Sequence, residues 1–129
     1  MGHLADNTQE LVDLRRALSS LPGLVGMALS RRDGFPVWGS GFREAALRWV
    51  SAAAAAMIGT AEATASHLEM HPFEKVLVSF GQRDLLLLGC SMELILILLF
   101  KEGADLEFAF ARAKELGPRV AELLESRPA

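Results

Sequence analysis

Residues 21–41 read LPGLVGMALSRRDGFPVWGSG, and this stretch contains the clearest structural signals in the chain. Pro22 and Gly23 end the helix that precedes them, and the segment that follows alternates large and small side chains, as strands do. Asp33 and Gly34 are a strong signal for a tight hairpin turn, and a second short apolar run, FPVWG, comes directly after the turn. The stretch therefore predicts two antiparallel strands that follow a helix.

Helical periodicity flanks this hairpin on both sides. Upstream, Asp6 and Gln9 have the spacing of an N-cap with its capping box, and leucines at helical spacing follow them. Downstream, a long helix two is predicted from Arg43 to just before Pro72, with Ser40 as a candidate cap near its start. The core stripe expected on helix two consists of Leu47, Val50, Ala54, Met57 or Ile58, Ala61 and Leu68.

The second half of the chain predicts three more strands and a closing helix. Residues 74–80 alternate, and two leucine-rich runs lie within residues 85–100, separated by a break at residues 89–91. These runs are too short for one membrane span of roughly 20 residues, and Glu93 interrupts them, so we interpret them as buried strands. An amphipathic helix follows over residues 106–124, with a kink expected at Gly117 and Pro118.

The resulting order of elements is α-β-β-α-β-β-β-α over a single domain that spans residues 1–129. Five antiparallel strands with three helices to cover them define an α+β fold. The 51% of hydrophobic residues is high for a chain of this length, which suggests that part of the apolar surface is buried against another chain.

Helix two contains an unusual stretch, SAAAAAMIGTAEATASH, over residues 51–67. Five small residues in it are spaced by four, three, four and three, so they share one side of the helix. They are Ala52, Ala56, Gly59, Ala63 and Ser66. A side without long side chains lets a second helix approach closely, so the stripe predicts a homodimer interface. The alternative is a solvated surface that is rich in alanine because alanine favours helices.

Composition and missing motifs exclude several functions. The net charge is -3 without any run of Lys or Arg, so nucleic acid is not an expected partner. The lone Cys90 lies in an apolar run and the N-terminus does not resemble a secretory signal, which together indicate the cytoplasm. The sequence also lacks a phosphate-binding loop and a serine nucleophile motif, so we expect no cofactor and no catalysis.

Three residues near the end of helix two offer a different interpretation. In an extended segment, His67, Glu69 and His71 would project to one side, and all three are possible zinc ligands. This would make the protein a metal-binding or small-ligand sensor or enzyme. The pattern is not H-E-x-x-H and no orienting residues accompany it, so we expect no metal.

Charged and aromatic residues near the hairpin are candidate contacts for a partner protein. The arginines are Arg31, Arg32, Arg43 and Arg48, and for each of them the favoured interpretation is a solvated surface charge. Trp38 and Trp49 are candidates because tryptophan is enriched at interface hot spots, although either can be a core residue.

Residues 21–41 and the stretch ADLEFAFARAKELGPRVAELL (residues 104–124) resemble the roadblock, or dynein light chain, family, which includes the bacterial MglB-like domains. The resemblance covers residues 11–124. It implies homodimers or heterodimers in which the second helices pack together and the sheets join, forming a platform for a Ras-like small GTPase. It further implies a GTPase-activating or co-regulating role without catalytic residues; the alternative within the family is a dimeric scaffold subunit that does not affect hydrolysis.

Overall fold

Helices and strands follow the predicted order in the computed structural model, which describes residues 2–70 and 72–126, with side chains from Asn7 onward. The first half contains α1 (Gly2–Ser19), β1 (Leu24–Arg31), β2 (Pro36–Ser40) and α2 (Glu44–His67). The second half contains β3 (Val76–Ser79), β4 (Arg83–Gly89), β5 (Leu94–Lys101) and α3 (Leu106–Glu125). The α+β fold class is thus confirmed.

All five strands form one antiparallel sheet in the order β2-β1-β5-β4-β3. The hairpin of β1 and β2 meets the meander of β3, β4 and β5 where β1 pairs with β5, with Met27 opposite Leu98 and Leu29 opposite Leu96. The leucine-rich runs form central strands because their side chains are buried alternately on both faces of the sheet, which outweighs the helix propensity of leucine. The strands β2 and β3 are left as the two edges.

The two faces of the sheet are covered unequally. On one face, α1 and α3 pack over a large core that includes Leu18, Leu98 and Phe100. On the other face, α2 packs alone and buries Ala54 and Ile58 against the sheet. Half-buried hydrophobic side chains surround this second core: Phe42, Leu47, Val50, Ala55, Met57, Phe73, Val76, Val78 and Leu99. The face that carries α2 is therefore the less completely covered one.

Both caps that the sequence predicted are wrong. The first helix begins at Gly2, so Asp6 lies inside it, and Gln9 donates instead to Asp13 Oδ1 at 2.9 Å. The N-cap of α2 is Arg43, whose side chain makes no capping bond, whereas Ser40 ends β2. Gly41, at φ 82°, turns the chain between β2 and α2 in a conformation that favours glycine, and this displaces Ser40 from the helix.

The core stripe of α2 differs from the predicted one at two positions. The helix ends at His67, so Leu68 is the C-cap and its side chain is 60% exposed instead of buried. Ser51 is fully buried under the helix, and its hydroxyl has no hydrogen-bond partner among the described residues. Ala54 and Ile58 lie in the core as expected.

The third helix runs through Gly117 and Pro118 without ending. A Cβ atom at position 117 would lie 2.9 Å from Cys90 Sγ, so glycine there lets α3 approach the end of β4 closely.

Candidate functional site

All five small residues of the predicted interface lie on the outer side of α2, away from the sheet. Each is exposed to solvent, whereas Ala54 and Ile58 on the opposite side of the helix are buried. A Cβ atom at Gly59 would meet no atom within 4 Å. The outer side of α2 is therefore an open surface of the monomer, and its contact with a second chain remains a prediction.

An apolar groove runs between this surface and the edge strand β3. It has a volume of about 390 Å³ and is lined by Ala56, Met57, Thr60, Ala61 and Val76. The only strand that pairs with β3 in the described chain is β4, so the outer edge of β3 presents free N–H and C=O groups. The small stripe, the groove and the free edge thus form one continuous surface, which we call the α2–β3 surface.

The turn of the first hairpin lies beside the N-terminal half of α2. At Gly34, with φ 96°, a Cβ atom would be 3.4 Å from Ala52 Cα, so the tight turn packs directly on the helix. Phe35 and Trp49 are 66% and 79% exposed, and Phe35 and Arg48 line one shallow depression. We call Arg31, Phe35, Arg48 and Trp49 the hairpin surface.

The predicted contact arginines have different environments. Arg31 is exposed, forms an ion pair with Asp33 and lies over the ring of Phe35 at 5.8 Å. Arg48 is also exposed, with Glu44 at 3.2 Å, and Arg43 is an exposed residue at the start of α2. Pairs as exposed as these stabilise a fold little, so these side chains are free to exchange partners.

Arg32 is half-buried and already has partners, unlike the exposed side chain that the sequence suggested. Its Nη1 atom donates to Glu62 Oε1 at 2.6 Å, and its Nε and Nη2 atoms donate to the carbonyl of Ser91 at 3.1 and 3.0 Å. The guanidinium also lies over Gly89, where a Cβ atom would come within 2.5 Å of Nη2. Arg32 therefore holds the hairpin, α2 and the turn between β4 and β5 together.

The two tryptophans lie on different faces of the sheet. Trp49 is on the outside of α2, whereas Trp38 is half-buried against the core under α1 and α3. The guanidinium carbon of Arg15 lies 3.8 Å from the centre of the Trp38 ring. The hairpin surface therefore includes only one of them.

The zinc interpretation depended on an extended backbone that the described residues do not have. His67 is the last residue of α2, and Glu69 adopts a left-handed conformation with φ 57°. The two residues therefore lack the extended backbone that would direct their side chains to the same side. His71 lies outside the described residues. In the described chain, no three His, Cys, Asp or Glu side chains are grouped to hold a metal ion.

The thiol of Cys90 is buried at the end of β4, and this burial raises its pKa to about 12. A thiol with such a pKa stays protonated at neutral pH, so it is not poised as a nucleophile or a metal ligand.

Two parts of these surfaces were not identified from the sequence. From the sequence, Phe35 was counted only as part of the second strand, whereas β2 begins at Pro36 and Phe35 is exposed at the hairpin turn. The free edge of β3 has no local signal, because strand order depends on pairing between distant segments.

Comparison with solved structures identifies the fold. A roadblock/LC7 domain from Streptomyces avermitilis matches with a TM-score of 0.79 and 15% identity, over 87% of this chain and 94% of that one. The gliding protein MglB from Thermus thermophilus matches with a TM-score of 0.78 and 18% identity, over 94% and 93%. A structure described as MglB with a tetrameric arrangement matches with a TM-score of 0.78 and 18% identity, over 92% and 90%.

The chain therefore has the roadblock/LC7 fold, as the sequence resemblance implied. No protein-family model matches the sequence, and no curated protein matches it. Within the described residues, none of the helices combines the length and the apolar character that crossing a membrane requires.

Proposed function

We propose that this protein self-associates through the α2–β3 surface and that the dimer binds and regulates a Ras-like small GTPase in the cytoplasm, without chemistry of its own. The observation that carries the proposal is the position of the small stripe. All five of its residues are exposed on α2, and they lie beside an apolar groove and a free sheet edge.

The geometry favours a second copy of the same helix as the occupant. From Ala52 to Ser66 the stripe spans about 21 Å at 1.5 Å per residue, which is more than half of the length of α2. Small side chains along that length permit a close helix pair at little cost in side-chain entropy. A two-fold axis beside β3 would also bring two free edges together, so that the sheets continue across the dimer.

The GTPase part of the proposal rests on the fold and on the sequence resemblance. Within the dimer, the hairpin surface is the candidate contact for the GTPase, because it includes an exposed tryptophan that directly follows the exposed Arg48 in α2. A role that needs no catalytic residue agrees with the buried, protonated Cys90 thiol. A dimeric scaffold that binds a partner without changing hydrolysis is the second candidate.

Self-association is tested first. Light scattering should give twice the 14.0 kDa mass of the chain, and Ala56→Arg should reduce the measured mass to that of a single chain. Ala111→Arg is the matched control, because Ala111 is an exposed alanine on α3 and lies outside the α2–β3 surface. Unchanged dimerisation of the Ala56 variant would rule out this interface.

Regulation is tested by GTP turnover of a small GTPase from the same genome, with and without this protein. A change in turnover that the Ala56→Arg monomer fails to produce supports the regulator. Binding without a change in turnover supports the scaffold, and absence of binding contradicts both. Trp49→Ala should weaken binding by roughly 30-fold if this residue is a hot spot worth about 2 kcal/mol.

A further inference from the structure

A second cavity lies on the opposite face of the sheet from α2, beneath the first helix. Its volume is about 290 Å³, close to the lower limit of roughly 300 Å³ for small-molecule pockets. Its walls are apolar side chains from three layers: Leu18 from α1, Leu29 and Leu96 from the sheet, and Val120 from α3. Because it is independent of the α2–β3 surface, it needs a separate explanation.

An ion pair between α1 and α3 fixes α1 in its position over the cavity. Arg119 on α3 donates to both carboxylate oxygens of Glu10 on α1, at 2.6 and 2.8 Å. The hydrogen bond from Arg119 holds the pKa of Glu10 below its usual range, so the pair is charged at neutral pH. The ion pair thus fixes α1 along α3, while the other flank of α1 faces β1 and β2 across the cavity.

Arg15 contributes a positive charge to the lining of the cavity. Arg15 lines the cavity, and its guanidinium is stacked on the Trp38 ring at 3.8 Å. No described carboxylate lies within salt-bridge distance of this guanidinium. A stacked arginine keeps its in-plane N–H donors available, and these match the two oxygens of a carboxylate.

We propose that this cavity binds a small amphipathic carboxylate, with an aliphatic chain in the apolar interior and the head group on Arg15. Since one buried water or methylene group occupies roughly 30 Å³, the cavity accommodates about eight to ten heavy atoms. That matches the nine-carbon aliphatic tail of decanoate, a medium-chain fatty acid, with its carboxylate at the guanidinium of Arg15. The walls supply apolar burial, and the half-buried arginine supplies a charge-assisted hydrogen bond where solvent competes less.

The probe is sodium decanoate below its micellar concentration, titrated into the full chain by calorimetry. We expect saturable binding of one decanoate per chain. Arg15→Gln should weaken it at least about tenfold, because the substitution removes the charge-assisted hydrogen bonds to the carboxylate. Arg16→Gln is the matched control, because the neighbouring Arg16 is exposed and pairs with Asp13 at 4.0 Å. Decanol, which has the same chain without the charge, should bind the wild type and the Arg15 variant equally.

Methyl NMR locates the probe independently of affinity. Signals of Leu29 and Val120 should shift during the titration, whereas those of Ala54 and Ile58 on the other face should not. The proposal is overturned if decanoate does not saturate, if both arginine variants weaken binding equally, or if the shifts lie on the α2 face. None of these results depends on dimerisation or on a GTPase.

Discussion

Gly59 gives the sharpest test of the dimer, because it separates the interface from the stability of the monomer. A Cβ atom at this position meets nothing within 4 Å, so the isolated chain accommodates a side chain there. Gly59→Leu should even strengthen α2, since glycine costs a helix about 1 kcal/mol relative to good helix formers. In a close helix pair, however, the same side chain would have to enter a packed contact.

The loss in the free energy of dimerisation follows from the symmetry of the dimer. Overpacking costs typically 1–3 kcal/mol at one site, and a two-fold axis brings two copies of the substitution into the interface. The dimer should therefore lose about 2–6 kcal/mol, which raises its Kd roughly 30-fold to 20,000-fold. Sedimentation equilibrium over a concentration series measures this change, and circular dichroism verifies that the variant stays folded.

Ala111→Leu on α3 is the matched control, because it adds a leucine at another exposed helical position. It should leave the Kd unchanged. A folded Gly59→Leu protein that dimerises with the wild-type Kd would refute the helix-on-helix interface, and so would a wild-type chain that stays monomeric at every concentration.

Three further outcomes concern the fold itself. Ser51→Ala should raise the free energy of unfolding in urea by about 1 kcal/mol, because it removes a buried hydroxyl without a partner; a loss of stability would contradict this. Gly41→Ala should lower the free energy of unfolding clearly more than Gly103→Ala does. Both glycines have a positive φ, which costs another residue about 1–2 kcal/mol. Only at Gly41 would a Cβ atom also collide with the carbonyl of Val25. The Cys90 thiol, with its pKa raised to about 12, should resist a thiol reagent at mildly alkaline pH and react once guanidinium unfolds the chain; rapid modification of the native protein would show that it is accessible.

The element order could be predicted from the sequence because glycine and proline separate the elements and each segment has a clear period. Local details were less predictable. Asp6 and Ser40 have good capping chemistry, but a helix that extends upstream and a left-handed turn at Gly41 place them elsewhere. Leu68 fitted the helical stripe by spacing alone, yet the helix ends one residue before it.

The outer position of the small stripe was also predictable, because the angular spacing of residues on a helix is fixed. The role of Arg32 was not, because its partners Glu62 and Ser91 lie 30 and 59 residues away in the chain. The same applies to the proposed carboxylate site under α1: Arg15 and Trp38 meet only through the packing of a helix over an edge hairpin.

The contacts of Arg32 also have a mechanical consequence. One guanidinium connects the hairpin tip to Glu62 in the C-terminal half of α2 and to the turn between β4 and β5. In the proposed complex, this contact joins the site where a partner protein would bind to the helix that would face a second subunit. We therefore expect binding at the hairpin and association of the subunits to influence each other, even though no residue belongs to both surfaces.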